Sequence, residues 1–312
     1  MAKIRRNDAQ NTSLRPAQQE PPRPVRQAAP QRPARAPMYD QDHDHAYEQR
    51  VKAHKNRRTD RVLTLAMVVC GIVFLVCAGV LGKRLWEDHK NQQRMAELSA
   101  LANSAEAPDG TPQQDASGEP SNAARFEQLR SQNPDFLGWI SIEDTELDLP
   151  VMYAPHNKDF YLRHDFDRAY SLYGTPYLEE TTTFGANRES ENLVIYGHNM
   201  KTGVIFGCLT KYADEAFLRD HPIVTFDTVY GDADYEVFAA FAIDVVQDQS
   251  FVYNTYVDLD EERYNAYVDE VLSRSVIDTG IRPQYGEQLL TLSTCEYSTE
   301  NGRFVVVARR MA

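Results

Sequence analysis

Leu289-Leu-Thr-Leu-Ser-Thr-Cys-Glu-Tyr-Ser-Thr-Glu-Asn-Gly-Arg303 ends one apolar run at Cys295 and delivers Arg303 eight residues later, at the head of a second run, Phe304-Val-Val-Val-Ala308. Both runs have the composition of strands, and the polar residues between them read as a short connecting loop. Two strands joined in this way bring a thiol and a guanidinium side by side. A guanidinium near sulfur lowers the thiol pKa and can hold an oxygen that becomes negative during acyl transfer. An arbitrary Cys and Arg at a hairpin would instead be a small buried thiol and a solvated cation, so the rest of the chain has to decide between the two.

Working outward, more strands come into view: Gly138–Ile142, Leu147–Tyr153, Leu193–Tyr196, Ile223–Phe226 and the longer alternating Tyr235–Val246, separated by polar turns. A short helix is expected over Phe126–Asn133, ended by Asn133-Pro134. A second helix is expected over Asp258–Arg274. There Asp258 and Glu261 form a capping box, and Tyr264, Tyr267, Val268, Val271 and Leu272 make one apolar stripe for packing on a sheet. Many short strands with an inserted helix predict a mainly β fold, a barrel or sandwich with peripheral helices.

The N-terminal part has a different character. Residues 1–61 hold 14 Lys+Arg against 7 Asp+Glu, with Pro-Arg and Gln-rich stretches and no apolar periodicity, so they read as a basic, Pro-rich, disordered arm. Residues 62–82 follow without a charge, with Thr64 as the one polar side chain, and 21 residues at 1.5 Å each cross a bilayer core of ~30 Å. Arg50, Lys52, Lys55, Arg57, Arg58 and Arg61 precede this span, which places the N-terminus in the cytoplasm. The expectation is an uncleaved, single-pass signal anchor. Residues 83–123 then form a polar extracellular stem, and residues 124–312 a single exported domain.

From residue 62 onward 19 Lys+Arg stand against 39 Asp+Glu, a balance unsuited to nucleic-acid binding. Cys70 and Cys77 lie in the span, leaving Cys208 and Cys295 in the exported domain. Two cysteines are no disulfide framework, although they could form one bridge. No Cys/His pair has metal-ligand spacing, and neither a metal nor another cofactor is expected.

Acyl transfer by a thiol requires a proton carrier, and His is the side chain suited to it. The stem and domain offer His89, His156, His164, His198 and His221. His198 directly follows the apolar Leu193–Tyr196 run at Gly197, where a strand end can present a catalytic group, whereas His221 precedes Pro222 at a helix end.

Taken together, Asn192-Leu-Val-Ile-Tyr-Gly-His-Asn-Met200, Gly203-Val-Ile-Phe-Gly-Cys-Leu-Thr-Lys-Tyr212 and Thr291-Leu-Ser-Thr-Cys-Glu-Tyr297 with Arg303 resemble the sortases. The resemblance is greatest to class B, the membrane-anchored cysteine transpeptidases of Gram-positive bacteria. It covers roughly residues 124–310, including Gly138-Trp-Ile140, Leu149-Pro-Val151 and Asn157-Lys-Asp-Phe-Tyr-Leu162. It implies an eight-stranded sortase-type β-barrel with N-terminal helices and a helix inserted before the catalytic strand. Cys295 would be the nucleophile, His198 the acid/base partner and Arg303 the stabiliser of substrate and oxyanion. Ser293, Thr294, Glu296 and Tyr297 would shape the substrate pocket, with further pocket loops over residues 246–258. Cys208 would pack in a helix beneath the His198 loop.

The partners implied are exported proteins with a C-terminal sorting signal cleaved after Thr, and an acceptor amine from a peptidoglycan precursor or a pilin Lys. Two other functions fit the same residues: a membrane-anchored surface module without turnover, and a cysteine hydrolase using the same acyl-enzyme.

Overall fold

The computed structural model describes residues 41–103, 122–185, 188–200, 203–296 and 301–311. The chain divides into two units, Met1–Cys77 and Ala78–Ala312. In the first, the described residues belong to one helix, α1 (Gln41–Ala102), which continues into the second. Residues 62–82 of α1 are exposed throughout and form one stretch long and apolar enough to cross a membrane. A helix suits such a stretch because it satisfies every backbone polar group internally. Residues 104–121, most of the expected stem, lie outside the described residues.

In the second unit α1 ends in contact with other elements. Leu98 and Ala102 are fully buried among Phe126, Leu129, Trp139 and Met152. Ser99 Oγ and Trp139 Nε1 each donate to the Asp148 carboxylate at 2.6 Å. Two short helices follow, α2 (Asn122–Arg125) and α3 (Glu127–Gln132), the latter stopping before Asn133-Pro134 as expected.

Ten strands come next: β1 (Phe136–Ser141), β2 (Asp148–Met152), β3 (Tyr177–Leu178), β4 (Phe184–Gly185), β5 (Arg188–Glu189), β6 (Asn192–Tyr196), β7 (Ile223–Thr228), β8 (Asp234–Asp244), β9 (Leu289–Glu296) and β10 (Gly302–Arg310). Eight of them close into a barrel in the order β1-β2-β3-β6-β9-β10-β8-β7. This is the eight-stranded architecture the resemblance implied. The β2–β3 and β6–β9 pairs are parallel and the other barrel pairs antiparallel.

Alternation sorts side chains to the two faces of this sheet. Leu193 and Ile195 of β6, Leu290 and Leu292 of β9, and Phe304, Val306 and Ala308 of β10 share the interior with residues of the other five strands. The opposite set, Val194, Leu289, Val305 and Val307, faces outward and is covered by a helix, α5 (Glu261–Arg274). A shorter helix, α4 (Glu215–Asp220), precedes β7.

The stripe expected on α5 is the face it buries: Tyr264, Tyr267, Val268 and Val271 are all 0% exposed, each contributing about 1.5–3 kcal/mol. Tyr267 also carries its hydroxyl to Thr291 Oγ1 at 2.7 Å, and Thr291 donates to Asn192 Oδ1 at 2.8 Å. The sheet's buried polar groups are thereby paired. The cap differs from expectation, because the helix begins two residues later. Asp260 is the N-cap and accepts from Arg263 N at 2.9 Å, while Asp258 accepts from Ser190 Oγ at 2.6 Å. Asp260→Ala is therefore expected to cost about 1 kcal/mol, read as a fall in Tm of about 2–4 °C. An unchanged Tm would reject this capping assignment.

Candidate active site

Cys295 and Arg303 are direct cross-strand partners in the antiparallel β9–β10 pair, so both side chains leave the same face. By alternation that face is the outer one, shared with Thr291, Ser293, Val305 and Val307, at the end of the strands beyond α5. Cys295 is partly exposed and Arg303 partly buried.

His198 reaches the same place from β6, the parallel neighbour of β9. Tyr196 pairs with Ser293, and continuing that register by two residues sets His198 alongside Cys295. Three hydrogen bonds carry the register past the strand end: Gly197 N to Ser293 O at 3.1 Å, Thr294 Oγ1 to Gly197 O at 2.7 Å, and Asn199 Nδ2 to Cys295 O at 2.7 Å. Gly197 is required because a Cβ there would lie 2.6 Å from the Phe206 ring. The Phe206 amide in turn donates to His198 O at 3.0 Å.

His198 Nε2 lies 2.7 Å from Leu162 O. A carbonyl can only accept, so Nε2 carries the hydrogen and Nδ1 is left to take a proton. Burial holds the imidazole below its ordinary pKa, opposed by the Leu162 carbonyl and assisted by the Arg163 charge. Neutral His198 is thus the resting form near pH 7, rather than an imidazolium that would stabilise a thiolate.

These three residues line one cavity of about 300 Å³. Its wall includes Val245, Asp248, Phe251, Val252, Tyr253 and Asn254, all but Val245 from the 246–258 loop expected to form the pocket. Ser293 and Thr294 also line it but are 1% and 2% exposed, and their hydroxyls are engaged within the protein, Ser293 with Tyr253 OH at 2.7 Å and Thr294 with Gly197. Glu296 ends β9, and Tyr297 lies outside the described residues. The other domain histidines sit elsewhere. His164 stacks on Phe160 at 3.9 Å, His221 Nδ1 bonds Glu143 O at 3.0 Å, and His156 is exposed.

Cys208 is 2% exposed, in the barrel core with Phe206, Leu209 and Tyr212, just before a single 3₁₀ turn rather than within a helix. Burial pushes its thiol up to about 11, so it stays protonated. Cys208 and Cys295 are both free thiols. Leu162, Tyr177, Glu179 and Tyr196 also line the cavity and escaped the sequence reading. Tyr196 carried a usable signal, two residues before His198 on the same strand face. Leu162 and Glu179 arrive from segments without periodicity.

A thiol, a guanidinium and an imidazole converging on one cavity of a closed barrel suit acyl transfer through sulfur. The chain belongs to the sortase family, whose members are cysteine transpeptidases: the Sortase domain matches residues 140–311. Within that family it is a class B sortase. It is 29% identical to Sortase B of Listeria monocytogenes over 245 residues, covering 78% of this chain and 94% of that one. It is 31% identical to Sortase B of Staphylococcus aureus over 190 residues, covering 59% and 74%. Among solved structures, the Staphylococcus aureus sortase B–substrate complex superposes with a TM-score of 0.62 at 25% identity, covering 72% of this chain and 98% of that one. Clostridium perfringens sortase B gives 0.54 at 29% identity, with 60% and 99% covered.

Proposed function

We propose that this transpeptidase cleaves a C-terminal sorting signal after Thr and passes the acyl group to an amine, using Cys295, His198 and Arg303. The observation that carries this reading is the Cys295–Arg303 cross-strand pair, with His198 tied to the same strand by the Gly197 and Asn199 bonds. His198 Nδ1 takes the thiol proton as sulfur attacks the carbonyl carbon. Arg303 holds the resulting oxyanion. The imidazolium then protonates the departing amine, the C–N bond breaks, and a thioester remains on Cys295. In the second half an acceptor amine attacks that thioester, His198 takes its proton, and the sulfur leaves and is reprotonated.

The acceptor is the amine of a peptidoglycan precursor or a pilin Lys, and the donor an exported protein. Residues 62–82 anchor the enzyme with its N-terminus in the cytoplasm and residues 124–312 outside, joined by the stem of residues 83–123. Anchoring enzyme, emerging donor and lipid-linked acceptor on one membrane raises their effective concentration.

The full chain in detergent micelles, given a sorting-signal peptide with and without an added amine, tests this by mass spectrometry of the products. The amide adduct should appear with amine present and displace the free acid. Free acid alone under both conditions would mean a hydrolase, and an uncleaved peptide would mean a module without turnover.

A further inference from the structure

We propose that Glu179 is a docking carboxylate for the cationic form of the acceptor amine, at the β3 side of the cavity that holds Cys295. The inference rests on the transfer reaction proposed above and assigns the acceptor's charge. Strand order fixes the layout: β10 carries Arg303, β9 Cys295, β6 Tyr196 and β3 Tyr177, with Glu179 directly after β3. At about 4.8 Å per strand, Glu179 stands roughly 10 Å across the sheet from Cys295, within one cavity. The phenol of Tyr253 interacts electrostatically with Arg303, Cys295 and Glu179 alike, so the three face a common space.

Glu179 is 7% exposed, an unusual place for a carboxylate. Its Oε2 accepts from Tyr196 OH at 2.6 Å. Among the described residues no donor is bonded to Oε1, and Glu179 is part of the cavity wall. Lys158 acts on it electrostatically, but that ammonium is paired with Glu180 at 3.2 Å. The adjoining wall is aromatic, with the Tyr177 and Tyr196 rings 5.4 Å apart, and Asp159 holds Tyr177 OH at 2.8 Å. A recessed carboxylate beside two aromatic faces selects a primary ammonium, by a charge-assisted hydrogen bond and by cation–π attraction. The guanidinium side of the cavity suits the acyl oxygen instead. An ammonium docked on Glu179 loses one proton to that carboxylate, the free amine attacks the thioester on Cys295, and its second departing proton goes to His198.

The test follows aminolysis by the full chain in detergent micelles, with two nucleophiles: a lysine side-chain amine, charged at neutral pH, and hydroxylamine, which is not. Glu179→Gln should raise KM for the lysine amine by roughly 10- to 100-fold, the range for losing a hydrogen bond to a charged group. The ratio of hydroxylamine to lysine-amine transfer should rise by the same factor. Tyr196→Phe, which keeps the carboxylate, should alter that ratio less than Glu179→Gln does. An equal fall for both nucleophiles would make Glu179 a structural partner of Tyr196 and overturn the proposal, as would an unchanged KM. If the unsubstituted enzyme transfers to neither amine, it is the transfer reading that fails.

Discussion

Cys295→Ala lowers cleavage of a Thr-containing sorting peptide by more than about 10⁴-fold and removes the covalent peptide adduct from the mass spectrum of the protein. A thioester needs sulfur, and loss of the nucleophile from a catalytic unit that acts as one carries nearly the whole effect of losing the unit. The fold should hardly notice. Cys295 is partly exposed at a strand end, away from the barrel interior and from the α5 contact, so Tm should stay within about 2 °C. Cys208 offers no alternative nucleophile, being buried with its thiol pushed up to about 11. Undiminished cleavage by the variant would end the mechanism proposed here.

Arg303→Ala is expected to lower kcat by about 10²–10³-fold, the range for removing one oxyanion donor, with a smaller change in KM. Position rather than charge alone is at stake. The guanidinium is fixed by the β9–β10 register and by its own Nη1 bond to Gly302 O at 2.9 Å. Arg303→Lys keeps the positive charge but loses the planar fork, so it should recover only part of the rate. Steady-state kinetics beside a thermal unfolding curve separate this from misfolding. A loss under about threefold would move the oxyanion role to backbone amides.

The Cys295–Arg303 pair was legible in the sequence because a hairpin translates spacing into register, and alternation then decides the face. His198 was legible as the polar residue at the end of a buried run. The barrel's closure was harder to read. It depends on β3, which is two residues long, Tyr177–Leu178, too short for any periodicity, and on two parallel pairs that join segments distant in the chain. The α5 stripe was clear, whereas its cap was not, since Asp258 and Asp260 both precede the helix and tertiary bonding to Ser190 claims the first. Leu162 and Glu179 reach the cavity from irregular segments, and nothing local marks them. The protonation state of His198 was equally hidden, because it follows from burial rather than from neighbours in sequence.

The tie between Gly197 and Thr294 spans 97 positions of the chain. Contacts of such separation form only after a large loop has closed, which makes them late and slow events in folding. Imidazole and thiol are therefore strangers until the β6–β9 seam is sealed. An enzyme built this way holds its chemistry in reserve while its polypeptide is still extended. During refolding, the first reactive turnover marks the moment the barrel shuts.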